Sequence, residues 1–195
     1  MRIKKWVKIS NEKVTVNGSP VLLGEDTSSL KAIYNLLELD YSKFFKMDGL
    51  SKIGTLASHL LLKDEVVPGN CGIFISTSSG CMESDEKHQK SIINKEEYFP
   101  SPATFVYTLS NIVIGEIAIK NKLQGEHLLT IEKEDFEEYQ YLLVNQCLQN
   151  TNTTMVIAGR LEKYKDTNFA MLYLVDTNSD TGEEYTTNKI SELLI

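Results

Sequence analysis

Apolar residues along this chain recur at two different spacings, which together predict a mixture of helices and strands. Helical spacing is clearest between Ser51 and Lys63, where five apolar side chains fall on one face: Ile53, Leu56, Ala57, Leu60 and Leu61. A mostly apolar helix is expected from about Ile112 to Lys122, with Gly125 in the position of a C-terminal cap. Both helices are suited to packing against a sheet.

Four further helices are indicated by weaker patterns. One begins near Thr27, with Thr27 or Ser28 as its N-terminal cap, and a polar helix covers Glu83 to Ile93. The third follows Ile131, and its inner face is marked by Phe136, Tyr139, Leu143 and Cys147. A short final helix is expected in the tail that follows Asp176.

Strands are predicted between these helices. The opening stretch from Lys4 to Val16 is rich in β-branched residues and reaches an Asn17-Gly18 turn, which is typical of a strand or hairpin. Compact apolar runs predict further strands at Cys71–Ser76, Leu128–Ile131, Thr154–Gly159 and Phe169–Val175. Strands that alternate with helices favour a single α/β domain over residues 1–195, with a mostly parallel or mixed sheet.

Charge and hydropathy exclude several classes of protein. A net charge of -7 and a pI of about 5.1 argue against nucleic-acid binding, which needs clustered cations. A basic cluster near the start (Arg2, Lys4, Lys5 and Lys8) is interpreted as a solvated edge. The sequence shows neither the apolar core of a signal peptide nor a membrane-spanning stretch, so a cytoplasmic location is expected.

The three cysteines predict neither a disulfide framework nor a metal site. Cys71, Cys81 and Cys147 are odd in number and lack the spacing of zinc ligands, so we expect reduced, buried thiols. No cofactor is expected either.

Three segments and one dipeptide carry a resemblance to a known family. Tyr41–Gly54 resembles the stretch that leads into an early helix of β-ketoacyl synthases, and Phe74–Asp85 is similar to their strand, glycine-rich turn and acidic helix start. Ser101–Asn111 resembles the Pro, Phe, Thr and Asn run that precedes the family's next helix, and Ala158-Gly159 matches a later Ala-Gly pair. The resemblance extends from about Leu36 to Val175. It implies the N-terminal half of a thiolase-like fold, with a mixed sheet of about five strands and helices on both faces.

The resemblance also locates the residue that should carry the chemistry. In the family, a nucleophilic cysteine begins a buried helix, and counting from Gly125 to Ala158 without a gap places it at or beside Glu134. No Cys, Ser or Thr occupies positions 132–135. A carboxylate is a poor replacement for a thiolate, because its acylated product is an anhydride. An alternative role for Glu134 is purely structural, as a favourable charge at the start of a helix.

The resemblance therefore implies a non-catalytic partner subunit. The family's paired histidines lie in a second half that this sequence lacks, and His59, His88 and His127 fall on segments without a catalytic role in the family. Cysteine-lacking chain-length-factor-like proteins pair with active ketosynthases in fatty acid, polyketide and aryl polyene biosynthesis. An alternative hypothesis is a decarboxylase-like enzyme acting on a malonyl thioester, without the usual oxyanion and proton-handling groups.

The resemblance also assigns candidate binding residues. It implies that Phe105, Tyr107, Thr108 and Asn111 contribute to a dimer interface and an acyl tunnel, and that the following strand pairs across a two-fold axis. The expected partner is a second copy or a full ketosynthase. A further hypothesis is docking of an acidic acyl carrier protein on Lys43, Lys46 and Lys52, which are equally explained as a solvated helix rim.

Overall fold

A mixed β-sheet forms the centre of the molecule. The computed structural model describes residues 1–11, 13–21 and 29–195, and within them the sheet has eight strands in the order β3-β2-β1-β7-β6-β4-β5, with β8 paired to β1. The strands are β1 (Arg2–Ile9), β2 (Val14–Val16), β3 (Ser19–Pro20), β4 (Gly72–Thr77), β5 (His127–Ile131), β6 (Met155–Tyr164), β7 (Thr167–Asp176) and β8 (Glu183–Glu184). Strand β4 is parallel to β5 and β6, whereas β7 is antiparallel to both β6 and β1.

Helices cover both faces of this sheet, as the resemblance implies. They are α1 (Leu30–Leu36), α2 (Gly49–Leu62), α3 (Met82–Ile92), α4 (Pro102–Val106), α5 (Ile112–Asn121), α6 (Phe136–Asn150) and α7 (Thr187–Leu194). Helices α2 and α5 pack on one face, while α6 and α7 pack together on the other. Strand β7 divides its side chains between the two layers: Ala170, Leu172 and Leu174 face α2, and Met171, Tyr173 and Val175 face α6.

The predicted C-terminal cap of α5 is wrong. The helix ends at Asn121, and Lys122 adopts the left-handed conformation (φ 57°) that closes it. Gly125 serves a different purpose, because a Cβ at this position would lie 2.4 Å from the carbonyl oxygens of both Asn70 and Cys71. The glycine therefore permits two backbone segments to approach each other at the start of β5.

Two other local predictions need correction. The side chain of Ser29 caps α1 by accepting a hydrogen bond from the Lys31 backbone N–H, whereas the predicted caps at positions 27 and 28 lie outside the described residues. On α6, Tyr139 is 44% exposed and does not belong to the inner face. Gln140 is buried in its place.

Candidate functional site

The carboxyl ends of the parallel strands β4, β5 and β6 meet at one edge of the sheet, which is a common position for sites in α/β proteins. Polar residues lie at or just after the end of each of these three strands. The turn Thr77–Gly80 leaves β4, Glu132 follows β5, and Arg160 and Glu162 lie in the second half of β6. We take this edge, together with the head of α6, as the candidate functional site.

Glu162 holds the turn after β4 in place. One carboxylate oxygen, Oε1, accepts the Ser78 backbone N–H (2.6 Å) and Arg160 Nε–H (3.0 Å). The other, Oε2, accepts both the backbone N–H (3.1 Å) and the hydroxyl (2.7 Å) of Ser79, and the Thr77 hydroxyl (3.3 Å). Burial favours a raised pKa for Glu162, but these hydrogen bonds outweigh it and lower the pKa below its usual value.

Glu132 lies in a second hydroxyl cluster beside the first. Its Oε1 accepts hydrogen bonds from Ser76 Oγ (2.6 Å) and from Thr130 Oγ1, and these two hydroxyl oxygens lie 2.7 Å apart. The sequence reasoning missed both Glu132 and Glu162 as organising residues. The available signal was the position of each acidic residue at or near the carboxyl end of a strand in a parallel sheet.

The head of α6 carries carboxylates where the resemblance expects a thiol. Glu134 is exposed in the turn between β5 and α6 and has no hydrogen bond or ion pair among residues 1–11, 13–21 and 29–195. The next residue, Asp135, begins the helix with a left-handed backbone (φ 53°), and its side chain caps no helical N–H. Glu134 therefore caps no N–H of α6, and its alternative role as a favourable charge near the helix start stays a prediction.

The three thiols lie elsewhere and are all buried, as the sequence predicts. Burial raises the pKa of Cys71 to about 12 and also raises the pKa values of Cys81 and Cys147. The Cys81 thiol donates to the Thr108 carbonyl (2.7 Å) and accepts the Ser110 hydroxyl (3.1 Å). Since the thiolate is the reactive form of cysteine, none of these groups is prepared for nucleophilic attack.

The predicted interface residues occupy a partly exposed segment that contains α4 and the start of α5. Phe105 is 55% exposed and lies against the His88 ring at 5.4 Å, whereas the Tyr107 hydroxyl turns inward and donates to Glu116 (3.2 Å). The Thr108 hydroxyl donates to the Phe105 carbonyl, and Asn111 is exposed at the start of α5. The segment adds further exposed apolar side chains: Tyr98, Phe99, Val106 and Leu109.

Strand β5 forms one edge of the sheet and lies next to this apolar segment. It pairs only with β4 among the described strands, and Leu128 and Ile131 are exposed. A Cβ built on Gly80 would contact both Ser110 Oγ (3.0 Å) and Ile131 Cδ1 (3.4 Å). The turn held by Glu162 therefore joins the end of β5 to the predicted interface segment.

The three lysines proposed for carrier docking differ in their surroundings. Lys43 forms an ion pair with the buried Glu116 (2.7 Å), and Lys52 lies over the Phe44 ring at 5.9 Å. Lys46 is exposed and lines a cleft of about 270 Å³, which also includes Lys87 on α3 and the predicted tunnel residue Tyr107. The structure therefore brings Lys46 and Tyr107 to one cleft, while Lys43 is committed to an internal contact.

The histidines are dispersed over three elements, α2, α3 and β5. His59 is half-buried with its Nδ1 3.5 Å from Lys120 Nζ, and burial followed by the charge of Lys120 lowers its pKa. Within the described ranges no group of three or more His, Cys, Asp or Glu side chains is arranged to hold a metal ion. No helix in the same ranges is long and apolar enough to cross a membrane.

Comparisons with known proteins identify the fold. No protein-family model matches the chain, and no curated protein matches it either. The solved structures that align with it include "The ishigamide ketosynthase/chain length factor", with a TM-score of 0.72 and 14% identity over 93% of this chain and 63% of that chain. Another is the ketosynthase ApeO in complex with its chain length factor ApeC from Xenorhabdus doucetiae, with a TM-score of 0.65 and 14% identity over 99% of this chain and 90% of that chain. A further one is the AntDE:AntF type II PKS acyl-carrier protein in complex with its ketosynthase bound to the hexaketide, with a TM-score of 0.60 and 13% identity over 90% of this chain and 62% of that chain.

The coverage figures describe how the chain relates to these structures. It spans less than two thirds of the first and third matched chains, but nearly all of the second. The predicted mixed sheet with helices on both faces is confirmed, although the sheet has eight strands in the described residues instead of about five. The chain has the thiolase-like fold of ketosynthase and chain length factor proteins.

Proposed function

We propose that this chain is a non-catalytic, ketosynthase-like partner subunit of the chain-length-factor kind. Its role would be in fatty acid, polyketide or aryl polyene biosynthesis, in the cytoplasm, as the partner of an active ketosynthase. The observation that carries the proposal is the head of α6, which bears the carboxylates Glu134 and Asp135 and no thiol, at the position where the resemblance expects a nucleophilic cysteine. Condensation needs a thiolate that can hold an acyl group as a thioester.

A partner subunit needs an interface, and the β5 edge supplies a suitable one. The Glu126 carbonyl and the Glu132 N–H both bond to β4, so the backbone groups of residues 127, 129 and 131 point away from the sheet. An unpaired edge of this kind can accept a strand from another chain. Exposed apolar side chains beside it, including Phe105 and Ile131, would be covered in such a complex.

One of the similar structures supports this assembly. The chain covers 90% of the matched chain in the ApeO–ApeC structure, which is a complex of a ketosynthase with its chain length factor.

Carrier protein docking is a second part of the proposal. Lys46 and Lys87 are exposed cations at one cleft and would meet an acidic carrier surface.

Co-production with a ketosynthase encoded in the same genome tests the pairing. We expect the two chains to co-purify and to elute as one complex in size-exclusion chromatography with light scattering. Ile131→Lys and Phe105→Lys should each weaken the complex at least about tenfold, because each places a charge in an apolar contact. Val66→Lys is the matched control, since Val66 is 90% exposed in the loop after α2.

Other outcomes would replace the proposal. Separate elution of the two chains at micromolar concentration would contradict the pairing. Conversion of malonyl-carrier to acetyl-carrier by the purified chain, abolished by Glu134→Ala without loss of folding, would establish the decarboxylase alternative. Acylation of the chain through a thioester, followed by extension, would show that it condenses substrates by itself.

A further inference from the structure

A cleft lies far from the β5 edge, on the sheet face that α7 covers only in part. It has a volume of about 660 Å³, within the usual range for small-molecule sites. Its aromatic surfaces are Trp6 on β1 and Phe169 on β7, and the C-terminal end of α7 forms one wall. The Trp6 ring lies close to Gly18 of the Asn17-Gly18 turn: a Cβ built on this glycine would be 3.6 Å from the ring.

Lys8 and Lys13 line this cleft, together with Lys189, Glu192 and the last residue of the chain, Ile195. Lys8 donates to the Leu194 carbonyl (3.3 Å), and its ammonium nitrogen lies 5.9 Å from the centroid of the Phe169 ring. Burial lowers the pKa of Lys8, and the nearby charge of Lys13 lowers it further. Neither Lys8 nor Lys13 has an ion pair in the described part of the chain, whereas Lys189, at the same cleft, is neutralised by Glu183 and Glu192.

Two lysines without an ion pair among the described residues and two aromatic rings line the same cleft, which favours a ligand that is both anionic and apolar. An anion placed beside the two ammonium groups would be attracted to both, and an apolar tail would cover ring surface that is now exposed to water. We propose that this cleft binds the carboxylate of a small apolar acid, with the head group at Lys8 and Lys13 and the tail over Trp6 and Phe169.

The chain contains a built-in reporter for this site, because Trp6 is its only tryptophan. Titration of the full chain with decanoate, below the concentration at which decanoate forms micelles, should change the intensity or wavelength of the tryptophan emission in a saturable way. The apparent Kd should rise with added salt, since part of the attraction is between charges. Lys8→Gln combined with Lys13→Gln should raise the Kd at least about tenfold.

Controls separate this site from simpler explanations. Lys13→Gln alone should also weaken decanoate binding. This variant keeps the Lys8–Leu194 contact, so it tests the site even if the double variant misfolds. Lys90→Gln, an exposed lysine on α3, should leave the Kd unchanged. The proposal would be overturned if decanol bound as tightly as decanoate, or if the double variant bound decanoate as tightly as the wild type. It would also be overturned if inorganic phosphate alone saturated the site at the same concentration, or if decanoate left the tryptophan emission unchanged. None of these results depends on whether the chain pairs with a ketosynthase.

Discussion

Replacing Glu162 by Gln should destabilise the fold strongly, although the two side chains have the same shape. Each carboxylate oxygen accepts hydrogen bonds from at least two donors. An amide NH₂ in either position cannot accept hydrogen bonds, so at least two donors would lose their acceptor. A donor left unsatisfied by such a change costs about 1–3 kcal/mol. The Glu162 side chain is only 12% exposed, so solvent offers little compensation, and we expect a loss of about 2–4 kcal/mol in the free energy of unfolding.

The same carboxylate makes stability depend on pH. The pKa of Glu162 is lower in the folded chain than its ordinary value of 4.5. The stabilisation it gives is therefore fully present above about pH 4.5, and it is lost as the pH falls through the lower folded value. Glu162→Gln lacks this pH-dependent stabilisation. The difference in the free energy of unfolding between wild type and variant should therefore shrink as the pH is lowered from 7 to 3.5.

Urea unfolding followed by Trp6 fluorescence and by far-ultraviolet circular dichroism measures both effects. Glu138→Gln is a suitable control, because Glu138 is exposed on α6 and its replacement should change stability by less than about 0.5 kcal/mol. A loss below 1 kcal/mol for Glu162→Gln at pH 7, or a difference that does not change with pH, would refute the reasoning.

Three other predictions concern packing and reactivity. Gly125→Ala should cost about 3 kcal/mol by urea unfolding, because its Cβ would meet two carbonyl oxygens; an unchanged midpoint would contradict the close approach. Gln140→Leu should lower stability by about 2–4 kcal/mol, since it leaves the buried Tyr173 hydroxyl without its acceptor, and adding Tyr173→Phe should restore part of the loss. Iodoacetamide at pH 8 should label Cys71 and the other two cysteines only after unfolding, so rapid labelling of the native chain would contradict their burial.

The layered architecture could be predicted because the apolar residues of each long helix or strand follow a clear spacing. The helical face of residues 53–61 and the apolar runs that became β4, β6 and β7 occur close to the predicted positions. The end of α5 could not be predicted correctly, because the pattern around Gly125 is equally suited to a helix cap and to a tight approach of backbone. Only the fold brings the carbonyl oxygens of Asn70 and Cys71 next to it.

The candidate site was only partly predictable, for a similar reason. The absence of a thiol at positions 132–135 is a property of the sequence itself. In the turn after β4, Glu162 binds Thr77, Ser78 and Ser79, which are more than 80 residues away in sequence, and no local pattern indicates this contact. Lys43 was considered for carrier docking because it is a cation on an expected surface, but its buried partner Glu116 is distant in sequence.

The open edge at β5 affects how this polypeptide must be handled. Among the described residues no strand pairs with the outer edge of β5, where Leu128 and Ile131 are exposed, so this edge can pair with a strand from another copy. The purified chain should therefore associate increasingly as it is concentrated. Under the proposed function, recovery from cells should improve when the ketosynthase partner is made at the same time. Ile131→Lys should reduce such self-association, because a charged side chain at a sheet edge opposes further strand addition.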